Sequence, residues 1–140
     1  MMTTSKRENY TLLLSQNPCE LFRYFNTQDL HGLNLNDCKD YRNTSEDSYI
    51  AGLSNIDPCT GERFIFINLS RCTDDIHTMG LVMHETMHLA FNLFEDEEEL
   101  ITFAENEAYK IIDEIQKNEH NIHLSNSSNI SRNLNTNLNQ

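Results

Sequence analysis

The chain has 140 residues, which suits one domain with a modest core and leaves no room for two. Apolar residues make up 38% and the formal net charge is -12, with only 10 basic residues scattered along the chain. That balance excludes a clustered phosphate-binding surface, so no nucleic-acid partner is expected. No apolar run approaches the ~20 residues needed to span a bilayer. Leu12-Leu13-Leu14, behind Lys6 and Arg7, is too short for a signal-peptide core. No membrane association and a cytoplasmic location are therefore expected. Cys19, Cys38, Cys59 and Cys72 form no CxxC pair, which argues against a cysteine zinc site. They are expected as free thiols, with a Cys59–Cys72 bridge across a hairpin as the less favoured alternative.

In chain order, residues 8–25 read as a helix, because Tyr10, Leu13, Leu14, Leu21 and Phe22 recur at helical spacing, with a break at Asn17-Pro18. Residues 26–47 are polar, rich in Asn and Asp, and read as loop. Ser48 to Leu53 is a candidate strand. Asp57-Pro58 and Thr60-Gly61 make 55–61 a turn. Arg63 to Leu69, the run RFIFINL, is the strongest strand signal: short, apolar, and aromatic or β-branched. Thr73 caps a helix over about 74–92, with Asp74 and Asp75 in the first turn where the dipole favours acids. That helix is apolar on several sides, which predicts burial. A second helix runs over about 96–117, with Leu100, Ile101, Ala104, Ala108, Ile111, Ile112 and Ile115 on its apolar positions. Residues 118–140 hold eight Asn and four Ser with no periodic apolar face, and read as a disordered tail, His120 and His123 included. The organisation expected is one domain over 1–117 and a tail over 118–140.

The residues with the clearest chemistry are His84-Glu85-Thr86-Met87-His88. Histidines four apart on a helix stand one turn apart on one face and can share a metal. Zinc accepts neutral imidazole nitrogen and keeps an open position for water when the protein supplies three ligands. Glu85 follows the first histidine, so it projects beside the water as a general base for attack on a carbonyl. Chance gives roughly 0.02 HExxH matches in a chain of this composition. The alternative is two helix histidines that share this spacing with no metal.

A strand, a turn, the HExxH helix and an acid-bearing helix resemble the zincin metallopeptidases, and within them the gluzincins, whose third ligand is a Glu on the following helix. The run MGLVMHETMHLAFNLF is similar to the active-site helix of small peptidase-like proteins of bacterial mobile elements and phages. The resemblance covers residues 61–117 and implies an α+β fold: a short β-sheet, the HExxH helix and a following antiparallel helix. It implies peptide-bond hydrolysis of a peptide or protein substrate by Glu85-assisted attack of zinc-bound water. It also implies that residues 64–69 bind extended substrate at a free strand edge.

Two acids compete for the third position. Glu98 and Glu105 are seven apart and share a helix face. In an antiparallel hairpin the depth of His84, ~12 Å from the loop, matches Glu105 at ~13.5 Å, and Glu105 begins an ExxA pattern. Short phage relatives match Glu98 instead, so both stay open, Glu105 ahead. Whichever is not the ligand is a candidate to hydrogen-bond a ligating histidine. Glu107 has the eighteen-residue gap after His88 found in some gluzincin aminopeptidases but lies on the opposite border of the apolar face, and Glu99 points to solvent. His77 reads as local packing and Tyr109 as a border residue; Gly80 is a point where another backbone can approach. The competing reading of the whole chain is a zinc-binding domain without catalysis, serving regulation or interaction.

Overall fold

The computed structural model describes residues 2–35, 38 and 50–134, with side chains as far as Asn118. The chain forms an α+β fold. Its N-terminal region is not the helix expected over 8–25. Strand β1 (Thr3–Lys6) turns back into β2 (Thr11–Ser15), and only then does a short helix, α1 (Cys19–Tyr24), follow. The three leucines explain the difference. Leu12 and Leu14 join one core cluster and Leu13 the other, which is the alternation of a strand with both faces covered. A run this short has the same apolar look in either element. Pro18, read as a break, starts α1 with φ -62°.

A small hairpin, β3 (Asp29–Leu30) and β4 (Leu33–Asn34), turns through His31 and Gly32, both at positive φ (50° and 87°). The His31 ring nitrogen lies 2.6 Å from the Ile56 carbonyl, tying this hairpin to the end of β5 (Gly52–Ile56). The strand expected at 48–53 thus lies further along the chain, and residues 48 and 49 fall outside the described residues. The expected turn follows, its Asp57 carboxylate accepting from the Cys59 amide at 2.8 Å and Gly61 at φ 76°. Strand β6 (Arg63–Asn68) is as the sequence predicts.

The sheet order is β1-β2-β6-β5. β1 is antiparallel to β2, β2 is parallel to β6, and β5 is antiparallel to β6. Buried Asn68 ends β6, donating to the Ile50 carbonyl at 2.8 Å and accepting from Ser70 N at 3.0 Å to start a 3₁₀ turn (Leu69–Arg71). Helix α2 (Asp75–Leu93) is capped by Asp74, not Thr73: the Asp74 carboxylate accepts from His77 N at 2.8 Å. Helix α3 begins at Glu97, where Asp96 accepts from Glu99 N at 3.0 Å, and runs to Leu134. It continues past Lys117 into the stretch expected to be disordered, since a helix already anchored by packing extends at little further cost.

These elements make three layers. On one face of the sheet, Leu12, Leu14, Ile65 and Ile67 pack with Val82 and Leu89 of α2 and with Ala108, Ile111 and Ile115 of α3. On the other, Leu13, Phe64 and Phe66 pack with Leu21 and Phe22 of α1 and with Leu30. A third cluster, Ala90 with Leu100 and Ala104, closes the α2–α3 hairpin. Among the described residues no helix is long and apolar enough to cross a membrane.

The cysteines differ from expectation. Cys19 and Cys38 form a disulfide with Cα atoms 5.8 Å apart, whereas Cys59 is exposed and neither Cys59 nor Cys72 is in a disulfide. Both bridged residues sit in the buried cluster beneath α1, so tertiary packing brings them together. Such bridges persist mainly in oxidising compartments. With a sequence separation of 19, replacing both cysteines by serine should cost about 3 kcal/mol in non-reducing urea denaturation. Thiol labelling of the unfolded protein should rise on reduction; equal labelling before and after reduction would rule the bridge out.

Candidate functional site

Helix α2 buries Val82, Glu85, Thr86, Leu89 and Ala90 and leaves His84 and His88 exposed. Its one-turn repeat puts the two imidazoles side by side, with Nε2 atoms 3.1 Å apart and ring centroids 4.6 Å apart at 83°. Two nitrogens bound at 2.0–2.1 Å to one tetrahedral ion stand ~3.3 Å apart. The pair therefore has the spacing of a shared zinc, and the same spacing suits a hydrogen bond from one neutral ring to the other.

Glu85 lies inward of the histidines. Its residue is only 5% exposed, and its carboxyl rests on β5 at Gly52. A Cβ at Gly52 would meet Glu85 Oε2 at 2.9 Å, Glu85 Cγ at 3.0 Å and Leu81 Cδ1 at 3.0 Å. The glycine is what lets the helix and its acid lie this close to the strand. Burial pushes the Glu85 carboxyl up to about 7. Gly52 was not singled out from the sequence, although a glycine inside a strand pattern signals close approach of another group. Gly80, expected to serve that purpose, has nothing within 4 Å of a built Cβ.

The structure does not bring the expected third ligand to the histidines. Glu98 and Glu105 are both exposed on α3, and among the described residues no His, Cys, Asp or Glu completes a metal-holding group of three. The acid that α3 buries is Glu107. It accepts from the Tyr10 hydroxyl at 2.9 Å and pairs with Lys110 at 3.2 Å, so it bonds to the N-terminal part of the chain. Burial, with Glu107 close by, pushes the Tyr10 phenol well above its ordinary value. Glu99 and Tyr109 are exposed. His77 faces the helix cap, its Nδ1 2.8 Å from Asp74 Oδ2.

The strand before the motif also differs from what the resemblance implies. β6 is paired on both sides, to β2 and to β5, so it has no free edge. The strand that ends the sheet next to α2 is β5. Comparison with protein-family models, curated proteins and solved structures gave no match to this chain.

Two outcomes follow from the Glu85–Gly52 packing. Gly52→Ala should destabilise the fold by about 1–3 kcal/mol in chemical denaturation, because helix and strand must part. A variant as stable as the parent would show that the acid has room to move. For Glu85, a carboxyl raised from 4.5 to about 7 makes the metal-free native state bind more protons than the unfolded chain between those values. Stability should therefore fall as pH rises from about 4.5 to about 7, by about 3 kcal/mol, and Glu85→Gln should remove that component. Parallel slopes for the two proteins across this window would contradict the assignment.

Proposed function

We propose that the chain is a small zincin-like zinc metallopeptidase, with His84 and His88 holding the ion and Glu85 acting as general base. The observation that carries this is the 3.1 Å separation of the two Nε2 atoms, one residue away from a carboxylate buried against β5. Zinc, when bound, would supply a Lewis acid for a substrate carbonyl and lower the pKa of a water to about 7.

The remaining chemistry belongs to the protein's own groups. Glu85 takes the proton of the attacking water and returns it to the leaving amine, a transfer that favours a carboxyl shielded from bulk solvent. Its place one residue after His84 keeps it beside the donor pair without displacing either imidazole. Packing of Val82 and Leu89 into the core holds the helix and so fixes both groups. A substrate peptide in extended form finds backbone donors and acceptors along β5, which ends the sheet next to Glu85 and takes over the role expected of β6.

Metal titration and peptide cleavage test this together. The parent should take up about one zinc per chain, His88→Ala should lose it, and Glu85→Gln should keep it while cleavage of a mixed peptide library falls at least about 100-fold. Failure of the parent to bind supplied zinc would end the metal reading. Zinc uptake with no cleavage by the parent would leave a zinc-binding regulatory or interaction domain. Because neither Glu98 nor Glu105 belongs to a metal-holding group of three among the described residues, Glu98→Gln and Glu105→Gln should each keep parental zinc affinity. A loss of tenfold or more in either would restore that acid as the third ligand.

A further inference from the structure

Strand β5 pairs with β6 along one edge and leaves the other open. At the two ends of that ladder, Asn68 N donates to the Ala51 carbonyl at 2.9 Å and Asp57 N donates to the Glu62 carbonyl at 2.6 Å. In an antiparallel pair, residues that exchange hydrogen bonds alternate with residues that do not. With Leu53 opposite Phe66 and Asn55 opposite Phe64, the alternation turns Ala51, Leu53, Asn55 and Asp57 toward β6. The N–H and C=O groups of Gly52, Ser54 and Ile56 therefore point outward, along the open edge.

These three outward positions are not equivalent. Ile56 N donates to Asn55 Oδ1 at 2.8 Å, and the Ile56 carbonyl lies 2.6 Å from His31 Nε2. Both outward groups of Ile56 are taken. Gly52 and Ser54 have no such partner among the described residues. The His31 ring also fills space. A strand added to this edge would run about 4.7–4.9 Å from β5. A ring whose nitrogen stands 2.6 Å from an outward carbonyl lies in that path. The β3–β4 turn holds the ring there, with His31 keeping its side chain at φ 50°, a conformation that favours glycine.

The end of the edge nearest the general base is Gly52, where a Cβ would meet Glu85 Oε2 at 2.9 Å. From Gly52 to the stop at Ile56 the strand covers about 13 Å. Only Gly52 and Ser54 can pair with an incoming chain in that interval, which leaves room for about two or three of its residues.

We infer that His31 closes the β5 edge, so that the site takes a peptide by its end and cuts within about three residues of a terminus. The inference rests on the metallopeptidase reading of Glu85 and the two histidines. Water is split across one C–N bond, OH going to the carbonyl carbon and H to the leaving nitrogen. One product is then a fragment of about three residues or fewer.

Two arms test it. In the first, mass spectrometry follows the products that the zinc-supplied parent and His31→Gly release from a long peptide of mixed sequence. Glycine suits the positive φ and removes only the ring. The parent should cut near an end at least about tenfold faster than in the interior, and His31→Gly should raise interior cutting at least about fivefold. A parent that cuts the interior as fast as the ends, or an unchanged product pattern in His31→Gly, would overturn the inference. No cleavage by either protein would end the peptidase reading instead and leave the second arm to decide. That arm uses Glu85→Gln with zinc supplied, so that peptide is held uncleaved. A short peptide with free ends should slow amide exchange at Gly52 and Ser54. The same peptide carrying bulky aromatic groups on both ends should bind at least about tenfold more weakly, and adding His31→Gly should restore it. Equal binding of the two peptides, or amides at Gly52 and Ser54 that neither peptide slows, would overturn the inference whatever the cleavage result.

Discussion

Two strands distant in sequence, β2 and β6, lie parallel and adjacent, pairing Leu13 with Phe66 at the middle of the sheet. A tight turn cannot close a parallel pair, so the chain between them must cross over, and it does so through α1, the β3–β4 hairpin and β5. That crossover covers one face of the pair with Leu21, Phe22 and Leu30. The other face is left for the α2–α3 hairpin. With Leu12, Leu13, Leu14, Ile65, Phe66 and Ile67 all at or below 1% exposure, both faces are dry, and the remaining elements are positioned by what they cover. The exit of β6 is part of the same constraint. Asn68 ties the strand end back to Ile50 and opens the 3₁₀ turn that delivers the chain to α2.

The candidate site is a consequence of where α2 lands. Its core-facing residues Val82 and Leu89 fix the helix rotation, which turns Glu85 toward β5 and leaves His84 and His88 in solvent. One helix thus holds two wet imidazoles and one dry carboxylate within five residues of sequence, a contrast that the helical repeat produces without any loop. The closeness of Glu85 to the strand depends on the missing side chain at Gly52. Burial without an offsetting cation is then what moves the carboxyl up to about 7.

The parts of this arrangement that were legible in the sequence are those set by local patterns. The RFIFINL strand, the turn before it, and the two helices with acids at their starts are short-range signals, and each stands within a residue or two of its expected place at its start. The helix cap moved by one residue, from Thr73 to Asp74, because either side chain can accept from the first turn and the backbone geometry chooses. The N-terminal region was misread for a different reason. Three consecutive leucines carry no period, and only the cover on both sides of β2 makes them a strand. The Cys19–Cys38 pair was equally invisible, since pairing is a matter of distance in space.

By itself, then, the sequence determined the spacing of His84 and His88 and the offset of Glu85, because helix geometry converts four residues into one turn wherever the helix lies. It also determined the net charge of -12. Tertiary structure decided what surrounds those groups. It gave Glu85 its place against Gly52, put β5 at the edge of the sheet and β6 in its interior, and turned Glu98 and Glu105 outward while burying Glu107 against Tyr10. Each of these depends on which elements pack side by side. The acids of α3 are alike in composition and closely spaced, so only the rotation of that helix against the sheet distinguishes the buried one from its solvated neighbours.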